Sequence, residues 1–473
     1  MTVNAHVWRF SHGRELKDIH IVNPGAIAIL ICHRWFLTGE RIAAKLTHTK
    51  NKLGHASGYG GNTMRGSGSL MVLLVMLVFG PSAANAQSAE GNWPESPSKQ
   101  RFVATCGGCH DINRIRVGYT PEGWLTVVRM MQNMQAPVPP EEWGGLTDYL
   151  MKNFPERKRP PAVIIDGPVK VNIRMWDVPT QGSRPHDPLA ARDGSIWWTG
   201  QLANKLGRLD PKTNAIREYT LKSAFTGPHG MAEDKAGNIW FTGNNTALIG
   251  KLDPNTGIVT EYPMPDANAK DPHTLNFDQS GILWFTVQQA NMIGRLDPAT
   301  GAIKLVTSPT PKSRPYGLMI NSQGIPVFVE FGANKIASID PKTLAIKEYA
   351  LPNADARPRR LAIGPDGMVW YVDFSRGYLG RLDLTTGAVS EWPSPSGTKS
   401  EPYGIVFTKG ALWYSESAAK PNTIVRFDPH TAQFQTWAIP GGGDIVRNMD
   451  VTPDGNPVIA DSLTNQVGLV EIK

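Results

Sequence analysis

The feature that most constrains the fold is a repeat of 43 or 44 residues that fills the C-terminal part of the chain. Each repeat opens with a Pro-x pair and continues through short segments rich in β-branched and aromatic residues. The pairs are Pro185-His186, Pro228-His229, Pro272-His273, Pro315-Tyr316, Pro358-Arg359, Pro402-Tyr403 and the degenerate Val446-Arg447. A constant period of this length with strand-like segments predicts a β-propeller.

Each repeat is predicted to form one blade of four strands. In the second repeat, strand-like segments separated by turn residues span 229–233, 239–242, 248–252 and 258–263. An aromatic residue recurs in the second strand, and we expect it to pack between blades. These residues are Trp197, Trp240, Trp284, Phe328, Trp370 and Trp413.

The two ends of the repeat array complement each other. The outer-strand pattern occurs once before the first repeat, at residues 173–176, and is missing after the last repeat, which ends at 468–473. The N-terminal strand is therefore predicted to complete the final blade and to leave no open edge. The expected fold is mainly β: a seven-bladed propeller over 171–473, preceded by a small all-α domain.

A second motif lies upstream of the repeats. Cys106-Gly107-Gly108-Cys109-His110 is the C-x-x-C-H pattern of covalent haem attachment. Cys106 and Cys109 would bond to the haem, and His110 would be an axial ligand of the iron. A zinc site would need four ligands, and the remaining cysteine, Cys32, is far upstream. A structural disulfide would leave His110 without a role. Haem c is the predicted cofactor.

The residues around this motif are predicted to form short helices between 98 and 154. Thr120 can cap one of them, with Pro121 in its first turn. This stretch resembles small class I cytochromes c of bacteria, which implies electron transfer by a haem. The sixth iron ligand is sought among Met130, Met131 and Met134, and Met131 matches the family pattern best. The alternatives are that these methionines fill the core or that the iron is five-coordinate.

Haem attachment takes place outside the cytoplasm, so an export signal is expected. Met64-Arg65, the apolar run 70–79 and Ala84-Asn85-Ala86 form a secretory signal too short to span a membrane. We therefore interpret 1–63 as an over-extended start and 64–86 as a signal peptide. A genuine extension followed by a membrane anchor is the alternative. The remaining segments are a cytochrome c domain (87–155), a linker (156–170) and the propeller.

The basic character of the chain resides mostly in these upstream segments. The formal net charge is +7, of which 1–63 contributes +5 and Arg65 one more, leaving +1 for residues 87–473. The charge therefore indicates no nucleic-acid or membrane-surface partner. The expected location is the periplasm or another exported compartment, with no membrane span after signal removal.

The second residue of each Pro-x pair begins an innermost strand, so these side chains should converge at one mouth of the central channel. Loops between the second and third strands should bring Glu330, Asp373, Glu416 and Asp461 to the same face. A mouth with this chemistry is the default binding site. The alternative is that the histidines are hydrogen-bonded within the channel.

The repeats, with W-F-T, N-x-I-G-R-L-D-P and T-G elements, resemble streptogramin (virginiamycin B) lyases. These are seven-bladed propellers that open the ester of cyclic depsipeptides by Mg²⁺-assisted elimination. The resemblance implies that His229 helps to bind substrate or metal, Asp271 is a Mg²⁺ ligand and His273 is the general acid/base. Asp271 stands where the family has Glu, and the Glu401-Pro402 pair of this chain continues with Tyr403.

Three functions remain open. The first is a redox protein whose haem transfers electrons for a propeller that binds a small molecule or a partner protein. The second is a Mg²⁺-dependent lyase with an accessory haem, and the third is a scaffold that docks the cytochrome to a dehydrogenase. Because elimination moves no net electrons, the haem motif favours the first.

Overall fold

The computed structural model describes residues 92–107 and 110–473, together with the backbone of two strands near the N-terminus. The chain divides into two units, 1–80 and 81–473. In the first unit, β1 (His6–His12) and β2 (Glu15–Ile21) form an antiparallel hairpin. The predicted signal peptide (64–86) and Cys109 lie outside the described residues.

Three short α-helices open the described part of the second unit: α1 (Lys99–Cys106), α2 (Pro121–Asn133) and α3 (Trp143–Asn153). As predicted, α2 is capped by Thr120, whose Oγ1 accepts a hydrogen bond from the Gly123 amide at 3.1 Å. The helices pack around a cluster of buried aromatic side chains: Trp93, Phe102, Trp124, Tyr149 and Phe154. The identity of this helical segment as a cytochrome c domain stays a prediction.

The remaining strands form seven four-stranded antiparallel sheets, as the repeat period predicts. Each sheet is one blade, and the strand that carries the Pro-x pair (Val446-Arg447 in the seventh blade) is innermost. Blade one contains β4 (Pro185–Ala190), β5 (Ile196–Gly200), β6 (Lys205–Leu209) and β7 (Ile216–Thr220), and blade two contains β8 (Pro228–Glu233), β9 (Ile239–Gly243), β10 (Leu248–Leu252) and β11 (Val259–Pro263). Blade three contains β12 (Pro272–Phe277), β13 (Leu283–Val287), β14 (Met292–Leu296) and β15 (Ile303–Thr307), and blade four contains β16 (Pro315–Ile320), β17 (Pro326–Glu330), β18 (Lys335–Ile339) and β19 (Ile346–Ala350). Blade five contains β20 (Pro358–Ile363), β21 (Val369–Asp373), β22 (Tyr378–Leu382) and β23 (Val389–Pro393), and blade six contains β24 (Pro402–Thr408), β25 (Ala411–Glu416), β26 (Thr423–Asp428) and β27 (Gln433–Ala438).

The seventh blade joins the two ends of the array. It contains β28 (Val446–Val451), β29 (Pro457–Asp461), β30 (Gln466–Ile472) and the N-terminal strand β3 (Val171–Asp177). β3 pairs with β30 along its whole length, from Val171 opposite Ile472 to Asp177 opposite Gln466. The predicted ring closure is therefore confirmed, and the outer strand of this blade is supplied from the other end of the repeat array.

The recurring aromatic residues pack between the sheets as predicted, and all six are at most 2% exposed. A glycine in the third strand of a blade makes room for the aromatic ring on the second. A Cβ atom at Gly250 would lie 2.0 Å from the ring of Phe241, and one at Gly207 would lie equally close to Trp198. The repeated x-Gly-Lys/Arg-Leu pattern is thus a packing requirement of the blade.

Within the described part of the chain, no helix is long and apolar enough to cross a membrane.

Candidate functional site

Seven side chains, each the second residue of its inner strand, form what we call the mouth ring. They are His186, His229, His273, Tyr316, Arg359, Tyr403 and Arg447. The residue before the pair has a left-handed φ in six of the seven blades: Arg184, Gly227, Asp271, Arg314, Glu401 and Ile445. This unusual conformation turns the chain sharply into the channel at the same point of each blade.

Hydroxyl groups on the second strands fix the ring to its neighbours. Thr242 accepts a hydrogen bond from the Gly230 amide at 2.8 Å and donates to the carbonyl of His273 in the next blade at 2.7 Å. Thr199 makes the same pair of contacts one blade earlier, where it donates to the carbonyl of His229. These bonds set the position of each histidine relative to the blade before it.

The three histidines stack side by side in the channel. The ring centroids of His186 and His229 are 3.8 Å apart, and those of His229 and His273 are 3.7 Å apart. All three are 3% exposed. Burial, reinforced by neighbouring arginines, lowers the pKa of each well below its ordinary value. The stack is therefore neutral at neutral pH, and its ring nitrogens can act as hydrogen-bond acceptors or metal ligands.

The other side of the ring is aromatic and cationic. The hydroxyls of Tyr316 and Tyr403 are 2.5 Å apart, and the guanidinium of Arg359 lies 3.9 Å from the ring centroid of Tyr403. Burial and this pairing raise the pKa of Tyr316 to about 12. Burial also acts to raise the pKa of Tyr403, but Arg359 and two further arginines outweigh it and lower that pKa to about 8. Tyr403 is thus the more acidic member of the pair.

Below the ring lies a polar layer that sequence reasoning missed. Asp187 Oδ1 accepts a hydrogen bond from Arg360 at 2.8 Å and lies 2.8 Å from His186 Nδ1, while Oδ2 accepts from Asn448 at 3.0 Å. Asp187 and Arg360 are 2% and 3% exposed. A signal for this layer was present in the repeats, because three other blades carry glycine at the same position: Gly230, Gly317 and Gly404.

One cluster of potential metal ligands stands out among the described residues. His186, Asp187 and His229 offer ligand atoms within 4.8 Å of one another. His229 Nδ1 lies 4.0 Å from Asp187 Oδ1 and makes no hydrogen bond to any described residue. Two nitrogens and one oxygen suit a transition metal better than Mg²⁺. Arg360 already pairs with Asp187, so the carboxylate of this cluster is part of a buried ion pair.

Asp271, the expected Mg²⁺ ligand, lies outside that cluster at the rim of the mouth. It is 6% exposed and is hydrogen-bonded by the side-chain amide of Asn244. Burial raises the pKa of Asp271 to about 7, although the amides of Asn244 and Gln289 and the charge of Arg314 oppose this. A carboxylate with two side-chain amides nearby is an oxygen-rich donor set that fits Mg²⁺.

The loop carboxylates that were expected at the mouth serve to hold its loops together. Glu330, Asp373, Glu416 and Asp461 are all fully buried. Glu416 accepts from Ser394 at 2.6 Å, and Asp461 accepts from the Asp444 amide at 2.9 Å. Glu330 Oε1 accepts from Ser308, while its Oε2 makes no hydrogen bond to any described residue.

The helical segment and linker contact the loops around this mouth. Asn133, at the end of α2, donates to the carbonyls of Gln181 and Gly182 at 2.9 and 3.0 Å. Arg159 in the linker forms two hydrogen bonds to Asp444, at 2.8 and 3.0 Å. Gln181 and Gly182 lead into blade one and Asp444 into blade seven, so the segment is seated beside the mouth ring.

The linker continues from the mouth along blade six. Lys420 donates its amide to the carbonyl of Pro160 at 2.9 Å, and its own carbonyl accepts from the Ala162 amide. Further along, the amide of Thr436 on β27 donates to the carbonyl of Ile165 at 3.0 Å, and Thr436 Oγ1 accepts from the Ile165 amide at 2.7 Å. The linker is therefore an ordered strap that leads from the helices to β3.

The predicted haem ligands occupy the helical segment. Cys106 ends α1 and is half-buried, while Cys109 lies outside the described residues. His110 is exposed, and its Nδ1 lies 3.3 Å from the carbonyl of Asp111, which leaves Nε2 available to a metal. Met131 is half-buried, whereas Met130 is 5% exposed, with its backbone amide against Gly182. These donors fit the chemistry of haem c, which stays a prediction.

Comparisons with known proteins support the propeller fold. Residues 167–427 match the model of the virginiamycin B lyase family. A streptogramin B lyase structure is 26% identical, with a TM-score of 0.59 over 64% of this chain and 98% of that chain. The structures of virginiamycin B lyase from Staphylococcus aureus, including a catalytically inactive variant with quinupristin, are 23% identical, with a TM-score of 0.59 over 64% of this chain and 99% of theirs. No curated protein matches the chain.

The family match covers more than half of the chain and falls within the seven-bladed ring and the short strap that precedes it. On this basis the chain belongs to the virginiamycin B lyase family.

Proposed function

We propose that the chain is an exported c-type cytochrome whose haem transfers electrons for a lyase-like propeller that binds a small molecule or a partner protein. The observation that supports this proposal most is the position of α2 beside the mouth ring. This helix carries Met131, and Asn133 at its end is hydrogen-bonded to the loop that leads into blade one. A redox group on the helical segment would thus lie close to whatever binds at the mouth ring.

The roles within the helical segment follow from its residues. Cys106 and Cys109 would hold the haem covalently, and His110 and Met131 would ligate its iron. When bound, the haem supplies reversible one-electron chemistry. Elimination needs no such chemistry, which is why a redox role explains the fusion better than a lyase alone.

The mouth ring supports a reaction in which protons accompany electrons. A substrate hydroxyl that is oxidised gives up a proton as well as an electron. Burial has lowered the pKa of the histidines, so they stay neutral and can orient such a hydroxyl as hydrogen-bond partners. Tyr403, with its pKa lowered to about 8, is the mouth-ring group that can exchange this proton near neutral pH.

Anaerobic reduction of the haem tests this proposal. The full chain, matured with haem, should be reduced by a cognate donor, and Asn133→Ala combined with Arg159→Ala should slow that reduction at least tenfold because the helical segment is no longer seated. Lys152→Ala, a change of an exposed residue on α3, is the control. Equal rates in all three proteins would contradict the proposal. Reduction by a partner protein but by no small molecule would favour the scaffold.

Export is tested by the N-terminus of the mature protein. Signal cleavage after Ala86 should leave a chain that begins at Gln87 in the periplasmic fraction. A cytoplasmic chain that retains residues 64–86 would overturn this part of the proposal.

A Mg²⁺-dependent C–O lyase is the second candidate, favoured by family membership and by the oxygen-rich surroundings of Asp271. His273 would act as the base, since burial keeps it neutral. Cleavage of a cyclic depsipeptide with Mg²⁺, abolished by chelator and by His273→Ala, would establish this activity. Absence of cleavage by the intact protein would exclude it.

A further inference from the structure

The channel holds a cavity on the side of the Asp187–Arg360 layer that faces away from the mouth ring. Its volume is about 530 Å³, which is within the usual range for small-molecule sites. Its walls are formed by the inner strands of all seven blades, from the Asp187 layer to the ends of these strands. None of the mouth-ring residues lines it, so it is a site separate from the one described above.

The wall of this cavity presents polar and apolar side chains in about equal measure, and most blades contribute to its apolar part. At the fourth position of the inner strand, six blades place a buried aliphatic or thioether side chain: Met231, Leu275, Leu318, Leu361, Ile405 and Met449. Nearer the opening, Phe277 and Phe407 are half-buried and Met319 is 36% exposed. Flexible methionines beside aliphatic side chains favour a ligand with an aromatic or other apolar body.

The floor presents one unused hydrogen-bond donor. Arg360 donates to Thr274 at 3.2 Å and to Asp187 at 2.8 Å, yet its Nε makes no hydrogen bond to any described residue. Arg360 is only 3% exposed and borders the cavity. A buried donor without a partner is unfavourable, so a ligand with an acceptor oxygen would satisfy it.

The charges around the cavity exclude an anionic ligand. Asp187 is paired with Arg360, and Glu233 lies 3.3 Å from Arg192. Among the described residues, Asp450 has no cationic partner and accepts hydrogen bonds from two backbone amides, those of Ala190 and Val451. One uncompensated carboxylate thus remains on the cavity wall, two residues beyond Asn448 along β28, where it repels anions and attracts a donor group.

We propose that this cavity binds small uncharged molecules that combine an apolar body with an amide-type head. The head carbonyl would accept from Arg360 Nε, its N–H would face Asp450, and the body would contact the Met and Leu wall. The site lies on the opposite face of the propeller from the helical segment, and it stands independently of the haem and of the chemistry at the mouth ring.

Three probes that differ only in their heads test the proposal by calorimetry on the full chain: 3-phenylpropanamide, 3-phenylpropanoate and 3-phenylpropylammonium. The amide should bind at least tenfold more tightly than the carboxylate at pH 7.5. Met231→Trp, which fills the cavity from its wall, should weaken amide binding at least tenfold. Asp450→Asn keeps the oxygen that accepts from Ala190 and should reduce the discrimination against the carboxylate. Asp355→Asn, an exposed change, is the control.

Several results would overturn the proposal. The first is that the folded wild-type chain does not bind the amide, and the second is that it binds the amide and the carboxylate with equal affinity. The third is that a folded Met231→Trp protein binds the amide as tightly as the wild type does. Tighter binding of the ammonium than of the amide would assign the site to cations instead. Because none of these readouts uses the haem, failure here is distinct from failure of the proposed electron transfer.

Discussion

At the scale of single residues, Asp187 and Arg360 are the groups whose replacement should lower the free energy of unfolding most. Removing one member leaves a buried charge without its partner, which costs about 3–5 kcal/mol. We expect Arg360→Met to lower the free energy of unfolding by about that amount in denaturant titrations. The double variant Asp187→Leu/Arg360→Met should recover most of it. A loss below about 1 kcal/mol in the single variant would show that the pair is solvated.

The stacked histidines predict a pH dependence. The pKa of His229 is lowered in the folded state, so the unfolded chain binds a proton that the folded chain does not. The stabilisation is fully present above the unfolded value near 6.5 and is lost as the pH falls below it, by up to about 1.4 kcal/mol per pH unit. Unfolding followed between about pH 7 and pH 5 should therefore show a shallower decline for His229→Gln than for the wild type. Parallel curves would contradict this assignment.

At the scale of the element, the hydroxyl groups that link neighbouring blades are open to a direct test. Thr242→Val keeps the shape of the side chain but leaves the Gly230 amide and the His273 carbonyl without that partner. We expect a loss of about 1–3 kcal/mol in unfolding free energy. Thr260→Val, at an exposed position of β11, should change it by less than about 0.5 kcal/mol. Similar effects of the two variants would mean that the inter-blade bonds contribute little.

The blades could be predicted from sequence because the repeat period and its turn residues are local signals. The seating of the helical segment could not be predicted, because Asn133 and Arg159 meet carbonyls and a carboxylate that lie 48 and 285 residues away. The polar layer was missed for a different reason. Asp187 and Arg360 come from blades one and five, and they meet only when the ring closes.

At the scale of the whole molecule, ring closure by β3 should determine which N-terminal segments the propeller needs for its stability. The helical segment folds around its own core, so a chain that begins at residue 156 should retain a cooperative propeller. A chain that begins at residue 178 lacks β3 and exposes the edge of β30. We expect the second truncation to aggregate or to unfold at least 10 °C lower, as measured by circular dichroism. Equal thermal stability of the two truncations would contradict closure as the source of stability.

The whole-molecule account rests on one cofactor, and one measurement tests it directly. The chain is expressed with haem-maturation proteins, denatured, and its pyridine haemochrome spectrum is recorded alongside that of Cys106→Ser/Cys109→Ser. We expect one covalently bound haem c per wild-type chain and none in the double variant. A wild-type chain that is matured under these conditions without covalent haem would contradict the account and leave the propeller to be explained by the lyase or scaffold alternatives.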